Sequence, residues 1–366
     1  SSSFAFSSWT SRGNADGNGE GDFYYAPPSG FLALCSKNLP TPTIKDPSAH
    51  FQTTLYAGDS NNSTVITNSG NSDLQPDLIW IKNRTHGSTT GVGAHMIFDA
   101  VRGIKSTTGS DSPYLSTNVN DAEVTNSNGL LAVSSDGFTP GSMTRTNETG
   151  DNLVAWQWKA GGGAGSSNTD GSINTTSTSA NTTAGISIGT YTGTGGTQTV
   201  GHGLGKVPSV IILKSRSHAI DWCIYHKGAA SSPEDGSLTF NDTSAFDDND
   251  NRWNDTVPTS SVFTILSSNE VNDSGKTYVY YAFSEIENFS KFGAYTGNGS
   301  ADGPFVNTGF QPAWIMTKIA STTVTNGGDW TMRDVKRDID NPANTAIYTN
   351  LFAAESSSSI IYDIYS

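Results

Sequence analysis

Charge is scarce in this sequence: Asp, Glu, Lys and Arg make up 15% of its residues. What charge there is leans acidic, with a net value of −14. A surface of that sign repels polyanions, which argues against a nucleic-acid partner. Strong helix formers such as Lys, Glu, Gln and Met are few, so little helix is expected. No run is long and apolar enough to span a bilayer, and no basic amphipathic segment offers an anchor, so membrane insertion is not expected. Cysteine occurs twice, at Cys35 and Cys223, in unrelated contexts. The expectation is two buried free thiols, not a disulfide framework.

Ser, Thr, Asn and Gly stand in place of the missing charge, with 39 Gly in 366 residues. Gly, Asn and Ser supply turns, while Thr tolerates strands. Aromatic residues reach 10%, which argues for packed cores over disorder. The composition therefore predicts an all-β chain of short strands, and the length predicts about two or three domains.

Internal repeats organise the chain. Pro76-Asp-Leu-Ile-Trp-Ile-Lys82, Pro208-Ser-Val-Ile-Ile-Leu-Lys214 and Pro312-Ala-Trp-Ile-Met-Thr-Lys318 share Pro, Ile and Lys at the same spacing. Each reads as a strand buried on both faces and entered through a Pro that needs no ladder hydrogen bond. A Tyr-x-Gly turn precedes each: Tyr56-Ala-Gly58, Tyr191-Thr-Gly193 and Tyr295-Thr-Gly297. A second apolar strand follows each: His95-Met-Ile-Phe-Asp99, Trp222-Cys-Ile-Tyr-His226 and Trp330-Thr-Met-Arg-Asp334. Asp99-Ala-Val-Arg102 matches Asp334-Val-Lys-Arg337. The first two copies end alike, through Asn147-Glu-Thr-Gly150 and Asn272-Asp-Ser-Gly275, into the aromatic strands Leu153–Trp158 and Tyr278–Phe283.

The predicted architecture is a series of tandem β-sandwich-like repeat units joined by Gly/Ser/Thr/Asn-rich linkers. Residues 1–50 form an N-terminal arm, 51–160 the first unit, 185–287 the second and 288–366 an incomplete third. Residues 161–184, nearly all Gly, Ser, Thr and Asn, read as a flexible linker. The short join at Ile286–Gly293 predicts rigid packing of units two and three. Unit three reaches Ser366 before any closing turn and strand. Either it is cut short, which is the plainer account, or another chain completes it. The Ser-Ser-Ser start, without Met or signal peptide, reads as part of a longer polypeptide.

Candidate chemistry is thin. Asp16, Asn18, Glu20 and Asp22 alternate with residues that include Gly17, Gly19 and Gly21, as in the front half of a calcium loop. A solvated Gly/Asp loop is the plainer reading. No other cofactor is called for. Asp247-Asp-Asn-Asp250 reads as an acidic surface turn. Gly201-His-Gly-Leu-Gly-Lys206 has the outline of a phosphate loop but lacks the following Ser or Thr, so it reads as a turn before a buried strand. Lys82, Lys214 and Lys318 read as strand-end cations whose amines reach solvent. Six His residues are scattered without metal-pair spacing. Trp9 and Trp253 are candidates for stacking on sugars, although burial is the commoner fate of Trp. No nucleophile elbow is present, and the chain reads as non-enzymatic.

Phe23-Tyr-Tyr-Ala-Pro-Pro-Ser-Gly-Phe-Leu-Ala-Leu-Cys-Ser-Lys-Asn-Leu-Pro40 resembles a linker in large structural proteins of marine and aquatic bacteriophages, where it follows a SPRY- or concanavalin-like β-sandwich. The segments Phe98–Gly103, Trp253–Phe263 and Phe289–Phe305 resemble the repeat domain that comes after that linker. The resemblance covers roughly residues 20–350. It implies a tail-fibre or virion-appendage protein, supplies no catalytic residues, and suggests residues 1–22 as the last strand of a preceding sandwich. The implied partners are other virion proteins, a host-surface glycan and further copies of the chain, as a homotrimer. A capsid decoration fibre, a bacterial adhesin or carbohydrate-binding module, and a polysaccharide depolymerase are the alternatives.

Overall fold

Short apolar runs separated by Gly, Asn and Ser turns fold almost wholly into antiparallel strands. The computed structural model describes residues 12–38, 42–87, 91–104, 112–249, 251–321 and 328–365. Trp9, Asp250 and residues 1–11 of the arm lie outside them. The chain divides into two compact units, Ser1–Lys45 and Asp46–Ser366. Among the described residues of the smaller unit the regular structure is one bridge, Asn14↔Phe23, and a turn of 3-10 helix at Ser36–Asn38.

The larger unit is all β. Repeat one contains β1 (Phe51–Ala57), β2 (Ile66–Thr67), β3 (Leu78–Asn83), β4 (His95–Asp99), β5 (Ser112–Tyr114), β6 (Val124–Asn126), β7 (Leu130–Ser134), β8 (Gly137–Pro140), a single helical turn α1 (Thr144–Asn147) and β9 (Asn152–Trp158). Repeat two contains β10 (Ser177–Asn181), β11 (Ile186–Thr192), β12 (Gln198–Gly201), β13 (Val210–Ser215), β14 (Cys223–His226), β15 (Gly236–Thr239), β16 (Asp247–Asp248), β17 (Val262–Ile265) and β18 (Thr277–Phe283). Repeat three contains β19 (Trp314–Thr317), β20 (Thr331–Asp334), β21 (Ala343–Tyr348) and β22 (Ser356–Tyr362).

The main sheets match strand for strand. Repeat one has the order β1-β9-β3-β4, and repeat two places β11-β18-β13-β14 within a larger sheet. Repeat three supplies β19-β20, the counterparts of β3-β4 and β13-β14, at one end of its sheet. A small sheet, β2-β8-β7 in repeat one and β12-β17 in repeat two, covers one face of each main sheet. Ile79, Ile81, Met96, Phe98, Leu130, Phe138, Leu153 and Ala155 fill the core between the layers in repeat one. In repeat two Ile211, Leu213, Cys223, Tyr225, Phe263, Tyr278 and Tyr280 fill it. Each large apolar side chain buried there contributes about 1.5–3 kcal/mol.

Residues 161–184 do not behave as a free linker. Gly162 and Gly163 donate their N–H groups to the Asp77 carboxylate at 2.9 and 2.7 Å. Ser166 bridges Thr178, Ile173 bridges Val200, and β10 adds to the free edge of β11. A side-chain composition that reads as disordered is held here by its backbone, whose hydrogen bonds do not depend on residue type.

Candidate functional site

Strand periodicity gives each central strand two buried faces. Ile79 and Ile81 of β3 point into the core of repeat one, while Trp80 and Lys82 point the other way, toward repeats two and three. The corresponding residues of the other repeats make the corresponding contacts, each with its neighbour. Lys82 Nζ donates to Phe352 O of repeat three (3.4 Å), Lys214 Nζ to Asn120 O of repeat one (3.2 Å), and Lys318 Nζ to Thr243 O of repeat two (2.9 Å). His95 Nε2 pairs with Tyr348 O of repeat three (2.9 Å), Trp222 Nε1 with Ser116 O of repeat one (3.0 Å), and Trp330 Nε1 with Thr239 O of repeat two (2.8 Å). The backbone N–H groups of Glu355, Glu123 and Phe246 donate to the carbonyls of Arg84, Arg216 and Ala320. Every set joins one to three, three to two and two to one, the backbone set with the donors on the opposite side of each joint. The repeats therefore close a ring.

Two of the three lysines do not reach solvent, while Lys318 is partly exposed. Lys82 and Lys214 are fully buried, and each is also held by the carbonyl of the next residue, Asn83 or Ser215. Desolvation brings the amine of Lys82 down to about 7, only partly offset by Glu355, and that of Lys214 down to about 8. Strand position alone suggested a solvated cation; the neighbouring repeat, absent from that reasoning, seals the strand end. His95 is buried as well. Its Nδ1 accepts the Trp80 indole N–H at 2.9 Å, which leaves the proton on Nε2 for Tyr348 O. Burial, with the charges of Lys82 and Arg337, holds its pKa well below the usual histidine range.

Carboxylates reinforce two of the three joints. Asp99 pairs with Arg102 in full burial and accepts the Tyr281 hydroxyl of repeat two at 2.7 Å. Asp334 pairs with Arg337 and accepts the Trp156 indole N–H of repeat one at 3.1 Å. Glu123 binds Arg102 and Arg216, and Glu355 binds Arg84 and Arg337, each carboxylate clasping arginines from two repeats. At the meeting point of the ring stand Thr117, Phe240 and Thr349, all fully buried. The Phe240 ring lies 5.6 Å from Trp80, 6.0 Å from Trp222 and 5.1 Å from Trp330, so one large side chain touches all three repeats. Next to these residues, the side-chain carbonyls of Asn118, Asn241 and Asn350 accept the backbone N–H of His95, Trp222 and Trp330 at 3.0 Å each. Sequence reasoning missed this set, although an Asn follows the equivalent strand in every repeat.

The two turn motifs lock together in repeats one and two. Tyr56 donates its hydroxyl to Thr146 O (2.7 Å), and Tyr191 donates to Val271 O (2.5 Å). The Asn147 and Asn272 side chains accept from the backbone of Asp59 and Thr194 and donate to Asn61 O and Gly196 O. This fastens β9 and β18 between their neighbours.

A family model described as a domain of unknown function, DUF7483, matches residues 46–366. The chain belongs to this family. No curated protein and no solved structure matches the chain. The family match begins at the first residue of the larger compact unit, so the ring lies wholly within the family domain.

Outside the family domain, the candidate calcium residues have other partners. Asp16 accepts the backbone N–H groups of Asn18, Glu20 and Ala33 and the Asn38 side chain. The Ala33 bond leads the set that holds its carboxyl at about 2. Asn18 donates to Asn38, Glu20 pairs with Lys37 at 3.0 Å, and Asp22 accepts from Arg12 and Gly13. Among the described residues no group of three or more His, Cys, Asp or Glu could hold a metal ion. Within the domain, Trp253 is buried against Tyr225 and Phe263, which removes it as a sugar platform: its indole is part of the repeat-two core. The 201–206 segment is a turn leading toward β13, with His202 buried against Thr259 O. Asp247 and Asp248 are exposed, with Asp247 paired to Arg252. Both cysteines are free; Cys223 is buried and Cys35 partly exposed.

Proposed function

We propose that this chain is a structural component of a virion appendage, a bacteriophage tail fibre or similar projection, and that it contributes to attachment at the host surface. The observation that carries this reading is the engagement of the recurring residues. Lys82, Lys214 and Lys318, the His95/Trp222/Trp330 set and the two clasped carboxylates all join one repeat to the next. A rigid body built from repeated, mutually braced β units suits a part that bears load at a particle surface. The likeness of the Phe23–Pro40 and repeat segments to phage structural proteins supports the same reading. Homotrimerisation, contact with other virion proteins and binding of a host glycan belong to this proposal.

The test is cryo-electron microscopy of the source particle with this chain marked by a labelled antibody. Label on slender tail projections is expected. Label over the head would make the chain a decoration protein, and label on a cell surface or free filament would remove the phage reading. Native mass spectrometry reads the quaternary part, where a lone monomer at micromolar concentration would remove the trimer.

A further inference from the structure

Repeat three carries one half of several contacts whose other half is present in repeats one and two. In those repeats β3 and β13 are each flanked on both edges, by β9 and β4 and by β18 and β14. β19 pairs with β20 on one edge and, among the described residues, with nothing on the other. An unpaired ladder edge is a template for another strand. Tyr191 is 1% exposed, with its hydroxyl on the closing turn, whereas its counterpart Tyr295 is 50% exposed. The ring has a matching gap. Trp156 of repeat one reaches Asp334, and Tyr281 of repeat two reaches Asp99. The equivalent position in repeat two is His226, and among the described residues no aromatic from repeat three hydrogen-bonds to it.

The two complete repeats specify what fits. Opposite Lys82, Trp80 and Leu78 stand Val154, Trp156 and Trp158. Opposite Lys214, Ile212 and Val210 stand Val279, Tyr281 and Phe283. The shared pattern is Val-x-aromatic-x-aromatic, read antiparallel. The indole nitrogen of Trp314, at the Leu78 position, is buried and has no hydrogen-bond partner among the described residues.

We propose that the open edge of β19 is an acceptor for an antiparallel strand of the pattern Val-x-aromatic-x-aromatic, supplied by a partner polypeptide of different sequence. Its valine lies opposite Lys318, its first aromatic opposite Met316 and over His226, and its second opposite Trp314. A closing turn ahead of the strand accepts the Tyr295 hydroxyl. The two segments of this chain that carry the pattern, β9 and β18, are already paired on both edges, so a second copy could donate one only by opening its own repeat. The inference rests on the ring and not on the virion reading.

The test uses the whole chain and a fluorescently labelled synthetic peptide of residues 271–283, which carries the closing turn and strand of repeat two. Saturable binding by fluorescence anisotropy is expected, with slowed amide exchange at Trp314–Thr317. A peptide bearing Tyr281→Pro loses a ladder donor and binds about tenfold more weakly. In the chain, Tyr295→Phe keeps the ring, removes the hydroxyl and weakens binding. Absence of saturable binding, equal binding of the proline peptide, or protection confined to β13, β10 or β22 overturns the proposal. So does native mass spectrometry in which the chain self-associates through β19 and the peptide does not compete.

Discussion

Replacing Lys82 with Met tests whether the amine at the ring joint truly gives up its proton. In the unfolded chain this amine titrates near 10.5; in the native ring, desolvation brings it down to about 7. That difference corresponds to about 5 kcal/mol between the two protonation states, at about 1.4 kcal/mol per pH unit. Between the two values the unfolded chain holds a proton that the native chain has released. Native stability therefore rises with pH across this window, and below it the full cost of burying the ammonium stands. Met keeps the length of the stem and removes the titration. It also leaves the Asn83 and Phe352 carbonyls without the amine, which costs about 1–3 kcal/mol at every pH. The decisive quantity is thus the change in the difference between the two proteins, not its value at one pH. Urea unfolding followed by tryptophan fluorescence at about pH 7.5 and about pH 9.5 should show the wild type gaining about 2–3 kcal/mol on Lys82→Met. Parallel stability profiles for the two proteins would refute the reasoning, since the amine would then be charged in both states throughout.

Tyr281→Phe withdraws the hydroxyl that repeat two offers to the buried Asp99, and is expected to lower unfolding free energy by about 1–3 kcal/mol in the same assay. An unchanged midpoint would mean that this hydrogen bond does not brace the joint. Phe240→Ala empties the point where the three repeats meet and should cost about 3–5 kcal/mol, with faster amide exchange in β4, β14 and β20 together. Exchange that quickens in β14 alone would show that the repeats are not coupled through it. Ellman's reagent should modify Cys35 rapidly in the native protein and Cys223 only after unfolding, because burial both shields the Cys223 thiol and pushes its pKa up. Two thiols reacting at one rate would contradict the buried position of Cys223.

Much of this fold is written locally. Pro-x-x-Ile-x-x-Lys marks β3 and β13 as strands buried on both faces, and the Tyr-x-Gly and Asn-x-Ser/Thr-Gly turns find one another in repeats one and two. The second buried face was legible as a pattern, but its cause was not. That face packs against another repeat, and sequence periodicity is silent about which partner supplies the cover. The same blindness put Lys82 and Lys214 in water. In residues 161–184 the misreading came from treating side-chain polarity as a guide to order, when the backbone alone provides the ladder between β10 and β11. Asn118, Asn241 and Asn350 were visible as letters, but an Asn in an Asn-rich chain stands out only once its carbonyl is seen on a neighbouring strand.

Arg84 and Glu355 meet across 271 positions of chain, and Lys82 and Phe352 across 270. In a linear repeat array each unit touches only the next and can fold as soon as it is made. A ring cannot do so. The part of repeat one's inner face around Lys82 and His95 stays uncovered during synthesis until the last part of repeat three emerges. Such long-range closure slows folding and keeps an apolar surface in view of chaperones meanwhile. Once shut, the same topology works in reverse: peeling any one repeat away must break two joints at once, so the body resists piecemeal unravelling under load.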